Sequence, residues 1–285
     1  MENCNHKAIR KAIVPEPEHF HRHQGLVGYF DILGFSHIAS DNELGRTVAL
    51  IRNDFLTIPE EIQKSLANNF GPRVPPDIIL FADSILVWLD IPQAEARGLC
   101  RRHLWHYFLS ACSSLMQKMF NRGLPLRGAI SEGSFYIEDH CFVGKAITDC
   151  HKLQQQQEWA GCVIDPRAWT RFRMIDPRTA PPFKSIMEWV CVQYPVPLKT
   201  ESKASEPDHC SDHQVIKWFP IHRGNDYIAP NPSLADLVKS AFTAHGKTLS
   251  PKESKKVDNT ITELEYFESI YRNTNDQIPH NQTSV

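Results

Sequence analysis

The chain has 285 residues, 41 % hydrophobic and 22 % charged, the proportions of an ordinary globular protein long enough to bury a sizeable core. Lys plus Arg is 31 and Asp plus Glu is 33, and the formal net charge of -2 excludes a general pull toward nucleic acid or an anionic bilayer, so no nucleic-acid partner is expected. The longest apolar run, residues 78–91, is interrupted by Asp83 and too short to span a membrane, and no apolar stretch backs the charges at the N-terminus. A cytoplasmic protein without stable membrane insertion is expected. Eight cysteines without a C-x-x-C pair argue against a zinc ribbon, a redox pair and a disulfide scaffold, leaving reduced, mostly buried thiols.

Residues 1–25 read as a polar leader, in which His19, His21 and His23 have the alternation of a metal clip without its further ligands. The first strand is expected over 26–32, with a turn at Leu33–Ser36 running into helical pattern. Asp41 is expected to cap a helix carrying Leu44, Val48, Ile51 and Phe55, and a second helix follows Pro59 with Ile62 and Leu66 on one face. Two β-rich runs, 78–81 and 84–91, hinge on Ala82-Asp83 as a hairpin. One long helix is expected from about 93 to 121, with Gly123-Leu124-Pro125 as its stop. Residues 126–137 read as a strand broken by Gly133, 144–159 as a helix and 162–165 as a strand. This order predicts an α+β fold with helices packed on a largely antiparallel sheet, the split β-α-β arrangement in which two central strands lie side by side.

Beyond 183, two strands are expected in 184–199 and 214–221, and the polar stretch 199–213 reads as an exposed hairpin insertion. Ser233 and the Ser250-Pro251-Lys252-Glu253 capping box open two C-terminal helices. The economical division is a leader at 1–25, one domain at 26–230, C-terminal helices at 231–272 and a frayed, disordered tail at 273–285.

Two carboxylates stand out by position. Asp31 ends a nearly wholly apolar strand, and Asp83 sits at the turn of an apolar hairpin. If strands 26–32 and 78–81 are neighbours, both reach the same sheet edge, where they would repel unless a cation lay between them; such oxygen pairs bind Mg²⁺ together with substrate phosphates. Asp31 as a turn cap and Asp83 as a plain turn former is the other reading, and spacing alone leaves both open. Ile32, Leu33, Gly34 and Phe35 add successive backbone N–H groups in a turn before a helix, suited to anchoring phosphate oxygens.

Phe30-Asp31-Ile32-Leu33-Gly34-Phe35-Ser36 resembles the first metal-binding motif of the class III nucleotide cyclases, and Phe81-Ala82-Asp83-Ser84-Ile85 resembles their second. Leu126-Arg127-Gly128-Ala129-Ile130-Ser131-Glu132-Gly133, then Phe142-Val143-Gly144-Lys145-Ala146-Ile147 and His151-Lys152-Leu153, follow in the order of the back half of that catalytic domain. The resemblance covers roughly residues 26–165 and, within the class, is closest to the Pycsar-type bacterial pyrimidine (uridylate or cytidylate) cyclases.

It implies the ferredoxin-like, palm-type fold of that class and a homodimer with composite active sites. It also implies two Mg²⁺ or Mn²⁺ ions per site held by Asp31, Asp83 and the Ile32 carbonyl, and a nucleoside triphosphate whose phosphates meet Leu33, Gly34, Phe35 and Arg127. Attack of the ribose 3′-hydroxyl on the α-phosphate would release pyrophosphate. The catalytic helix positions of the animal enzymes, Asn and Arg, correspond to Thr148 and Lys152, the latter a point charge rather than a fork. The purine-reading positions correspond to Ile79, which cannot hydrogen-bond a base, and Cys141. Loss of those readers favours a pyrimidine, UTP ahead of CTP, with the cyclic product signalling to a separate effector protein in antiviral defence; it is also what a catalytically silent cyclase-fold module would show. A metal-dependent phosphodiesterase lacks its customary His ligands. An Arg opening a strand, as Arg127 does, is ordinarily a salt bridge. His140, His151 and Trp159 read as packing or rim residues, and Arg97, Arg101, Arg102 and His103 as a solvated helix face.

Overall fold

A computed structural model describes residues 22–70, 75–95, 100–138, 141–174, 187, 190–199, 212–219 and 233–275. Strand β1, His23–Ile32, lies at the middle of the sheet because its apolar residues are buried on both faces: Leu26, Phe30 and Ile32 on one, Val27 on the other. It leads into helix α1, Phe35–Asp41, then α2, Leu44–Leu50, whose last turn widens to a π-helical turn at Ile51–Phe55, and α3, Ile58–Phe70. The hairpin follows as β2, Asp77–Phe81, and β3, Ser84–Asp90, turning at Ala82-Asp83 as expected. Helices α4, Ile91–Glu95, and α5, Arg101–Asn121, lead to β4, Leu126–Glu138. Next come β5, Cys141–Gly144, α6, Lys145–Gln155, β6, Cys162–Ile164, and α7, Pro166–Met174. Strands β7, Cys191–Pro195, and β8, Asp212–Ile216, and helices α8, Leu234–Thr243, and α9, Pro251–Asn275, complete the described elements.

The strand order is β2-β3-β1-β4-β6-β8-β7, with β5 paired to β4. Every pairing is antiparallel except β4 with β6. The first four strands, ordered β2-β3-β1-β4 and connected through helices between β1 and β2 and between β3 and β4, form the expected ferredoxin-like split β-α-β unit. Phe30 pairs across with Gly128, and a Cβ there would run into the Phe30 ring, which explains the glycine after Arg127. One sheet face packs on α5 and α3 through Leu104, Phe108, Ile62 and Leu66; α6 covers the other with Ala146, Ile147 and Cys150 against Val27, Leu86 and Ala129.

Several expectations are corrected. Asp41 closes α1, and Glu43 stands before α2 without a side-chain cap. The 93–121 helix is two, because Cys100 is extended at ψ 148° ahead of α5. β4 continues through Gly133, and α6 ends at Gln155. Helix α7 was not expected at all. β8 begins at Asp212, taking the end of the expected insertion into the sheet, and α9 runs on to Asn275. Residues 200–211, His19, His21, Arg97 and His140 lie outside the described residues. Arg101 is no solvated residue, being ion-paired with the buried Glu132. The six described cysteines are free, and Cys112, Cys150, Cys162 and Cys191 are buried.

Candidate active site

Asp31, one residue from the end of β1, pairs in register with Ser84 of β3 on one side and Arg127 of β4 on the other. β3, not residues 78–81 of β2, is therefore the neighbour of β1. The two aspartates still come to one edge, because the Ile32 N–H donates to the Asp83 carbonyl at 2.8 Å and ties the hairpin turn to the end of β1, near enough for the Asp83 charge to act on Asp31. That two-residue turn holds Ala82 at φ 51°, left-handed and costly for a residue with a Cβ.

Arg127 lies between two acceptors. Its Nη2 donates to Asp31 Oδ2 at 2.8 Å and its Nη1 to the Gln157 carbonyl at 3.1 Å, while Nε is buried without a partner among the described residues. Gln157 is fixed in turn, its Nε2 donating to the Gly128 and Leu153 carbonyls and its Oε1 accepting from Trp159 Nε1. Burial raises the Asp31 pKa above the ordinary carboxyl value; Arg127 opposes this and the Asp83 charge adds to it. Arg127 thus makes the salt bridge expected of an Arg that opens a strand, with its Nε left over.

The phosphate-anchoring turn is partly committed. The Leu33 N–H donates to the Pro125 carbonyl at 3.0 Å, so Leu33 is not available as an anchor. Gly34 is left-handed at φ 77°, and a Cβ added there would sit 2.8 Å from Cδ of Lys247. Gly34 and Phe35 stand at the head of α1.

A second group of residues gathers on the sheet face carrying α6. Tyr29, Phe81, Leu86, Phe142, Ile147, Thr148 and His151 surround a cleft of about 290 Å³. Phe81 stacks on Phe142 at 5.4 Å between centroids, and Tyr29 meets Phe81 and His151 edge-on. The Tyr29 hydroxyl is 2.9 Å from Ser84 Oγ, and burial, with Asp31 and Asp83 adding, raises its pKa. The Thr148 hydroxyl donates to the Gly144 carbonyl at 3.0 Å. Lys152 is exposed and, like Ile79 and Cys141, does not line the cleft. Phe81 and Phe142 stood in the quoted motifs without a role and Tyr29 stood outside them; strand alternation points to Tyr29, which precedes Asp31 by two residues on β1. Trp159 is a packing residue, fully buried, and His151 forms the cleft's rim.

Asp31 and Asp83 offer two hard oxygen donors, and the Asp31 pKa is raised first by burial and then, against the opposing Arg127, by the Asp83 charge, which a cation between them would offset. Among the described residues no group of three or more His, Cys, Asp or Glu gathers to hold a metal. The donor set fits an ion of the Mg²⁺ kind, which takes one or two carboxylates and completes its shell with carbonyl, water and phosphate oxygens.

Solved structures similar to this chain include adenylyl and guanylyl cyclases. The adenylyl cyclase CyaB from P. aeruginosa is 15 % identical, over 71 % of this chain and 97 % of that one, with a TM-score of 0.43. The guanylate cyclase domain of RhGC from Catenaria anguillulae, in complex with GTP, is 12 % identical over 69 % and 96 %, TM-score 0.40. The dimeric guanylyl cyclase domain of the RhoGC fusion protein from Blastocladiella emersonii is 13 % identical over 69 % and 96 %, TM-score 0.41. No protein-family model and no curated protein matches the sequence. The fold is read from the strand order of the chain itself.

Proposed function

We propose that this chain is a nucleotide cyclase of the class III kind that converts a pyrimidine nucleoside triphosphate, UTP ahead of CTP, to the 3′,5′-cyclic monophosphate. The observation that carries the reading is the meeting of Asp31 and Asp83 at one sheet edge, knitted by the Ile32 N–H and backed by Arg127. In the reaction a bond forms between the ribose 3′-oxygen and the α-phosphorus, the bond to the β-phosphate oxygen breaks, pyrophosphate leaves, and the hydroxyl proton passes to solvent. Asp31, Asp83 and the Ile32 carbonyl would hold divalent Mg²⁺ or Mn²⁺, which when bound would supply neutralising charge at the triphosphate and lower the pKa of the 3′-hydroxyl. Arg127 Nε offers an unspent donor to phosphate, and Lys152 offers a mobile cation.

The aromatic cleft is the candidate base site. Its roughly 290 Å³ lies at the small end of the ~300–1,000 Å³ range of ligand pockets, and Tyr29, Phe81 and Phe142 present ring faces and edges to a planar base. A small base and the lack of the purine-reading side chains point the same way. By the same resemblance, the enzyme works as a cytoplasmic homodimer, and its product serves as a signal to a separate effector protein in antiviral defence.

The test is incubation of the purified full chain with Mn²⁺ and each of the four ribonucleoside triphosphates separately, with products identified by mass. Cyclic UMP or cyclic CMP plus pyrophosphate is the expected outcome. Cyclic AMP or GMP alone would refute the pyrimidine assignment; no cyclic product from any of the four, also with infected-cell extract present, would leave a silent cyclase-fold module.

A further inference from the structure

Lys256 belongs to no motif, yet the packing of α9 directs it to the active site. Glu253, three residues before it, lies 3.5 Å from His37 Nε2 on α1. Thr260, four residues after it, accepts from the Ala160 N–H at 2.8 Å, and Asn259 donates to the Glu158 carbonyl at 2.6 Å. Positions 253, 256 and 260 fall on one helix face. Lys256 therefore lies between α1 and the 157–160 segment, the same gap in which Arg127 reaches from Asp31 to the Gln157 carbonyl. Lys247, ahead of α9, closes the gap from the side by packing against Gly34.

The charges in this gap are not balanced by the protein alone. Lys256 is half-buried, interacts electrostatically with both Asp31 and Arg127, and its ammonium makes no hydrogen bond or ion pair among the described residues, the Thr260 hydroxyl bonding only its carbonyl. Arg127 keeps its buried Nε without a partner. Burial first and Arg127 second push the Lys256 pKa below the usual lysine value, with Lys252 adding to this and Glu253 and Asp31 opposing it. Two neighbouring cations, each with a donor unspent, are at a cost in the free protein that an anion with several oxygens removes.

We infer that Lys256 binds the polyphosphate of the substrate alongside Arg127 Nε, which makes the C-terminal helix α9 part of the active site. The inference rests on the triphosphate reading above and adds a residue from outside the resembling segment. It explains why α9 is braced so closely against the loop at 157–160, through Lys255 with Glu158 as well as Asn259 and Thr260: the brace sets the height of Lys256 over the site.

The test measures inorganic tripolyphosphate binding to the full chain by calorimetry in metal-free buffer. Lys256→Met should weaken binding about tenfold, Lys256→Arg should keep it within about threefold, and Lys252→Met, one turn earlier and exposed, should leave it unchanged. Without ligand, Lys256→Met should melt no lower than wild type, because it removes a partnerless cation from beside Arg127; a bracing role would lower the melting temperature instead. Lys256→Gln gives the same reading should the Met variant fail to fold. Undetectable tripolyphosphate binding by wild type, unchanged binding by Lys256→Met, or an equal loss in Lys252→Met would overturn the inference. With UTP, KM should rise about tenfold in Lys256→Met while kcat changes little. Absence of any cyclic product with the binding pattern intact would defeat the cyclase reading and not this one; a normal product with unchanged KM and binding would defeat this one and not the cyclase.

Discussion

Arg127 makes unequal partners of the two candidate metal carboxylates. Asp31 is the carboxylate that the guanidinium holds, whereas Asp83 acts on Asp31 only as a nearby like charge. Removing the first should strand a buried cation, and removing the second should relieve a repulsion. Asp31→Asn is therefore expected to destabilise the metal-free protein by about 1–3 kcal/mol. Asp83→Asn should leave it unchanged or stabilise it by up to about 1 kcal/mol. Both should reduce cyclase turnover to background. Urea unfolding without metal, set beside turnover with Mn²⁺, checks the pair; equal stability of the two variants would mean that Arg127 does not discriminate between them. The two aspartates could be singled out in the sequence because a charge inside an apolar strand or hairpin is anomalous, although spacing alone left a plain turn reading open and the motif resemblance decided between them. Lys256 was not: within Lys252-Glu253-Ser254-Lys255-Lys256 it looks like one more residue of a solvated face, and only the docking of α9 tells it from Lys252.

Helix α9 carries a second buried ionisable group. Val257, Thr260, Leu264 and Phe267 form its inner stripe, and Glu263 lies beside them, fully buried, with neither carboxyl oxygen hydrogen-bonded among the described residues. Burial pushes its pKa well above the carboxyl value, and the nearby Trp218 indole opposes this only in part. A carboxyl whose pKa is raised by folding keeps its proton in the native state after the unfolded chain has lost it. Its contribution is fully present below the unfolded pKa and is lost as pH rises toward the folded one, at about 1.4 kcal/mol per pH unit. Glu263→Gln should consequently be more stable than wild type at pH 8, with the advantage shrinking toward pH 4; parallel stability curves for the two proteins would show that Glu263 is hydrated. Legibility at this scale follows local chemistry. Ser233 caps α8 by accepting from the Asp236 N–H, and Ser250 and Glu253 form the reciprocal box that opens α9, as their spacing predicts. Helix α7 escaped because it buries little beyond Ala168 and Phe172 and is otherwise polar and Arg-rich. The break before α5 escaped although Gly98 stands two residues ahead of Cys100, because the apolar spacing of Leu99, Leu104 and Phe108 runs straight across it.

At the scale of the whole molecule, the relation that matters is between the carboxylate edge and helix α6. Thr148 lines the aromatic cleft, while Lys152, one turn on, is exposed and its ammonium has no hydrogen bond or ion pair among the described residues. A cation presented outward from the covered face of a sheet is placed to serve a second copy across a two-fold axis, since such an interface uses the same patch twice and forms two equivalent composite sites. Asp31 and Asp83 of one protomer would then meet Thr148 and Lys152 of its partner. Asp83→Ala and Lys152→Ala chains, each inactive alone, should restore activity when mixed, because one of the two sites in every mixed dimer is intact. With free exchange about half the dimers are mixed and each has one working site of two, so recovery of about a quarter of wild-type activity is expected. Mass-resolved subunit exchange run in parallel fixes the denominator. Exchange without recovered activity would place Lys152 in its own chain's site or outside the reaction, and the two-fold arrangement would fail with it.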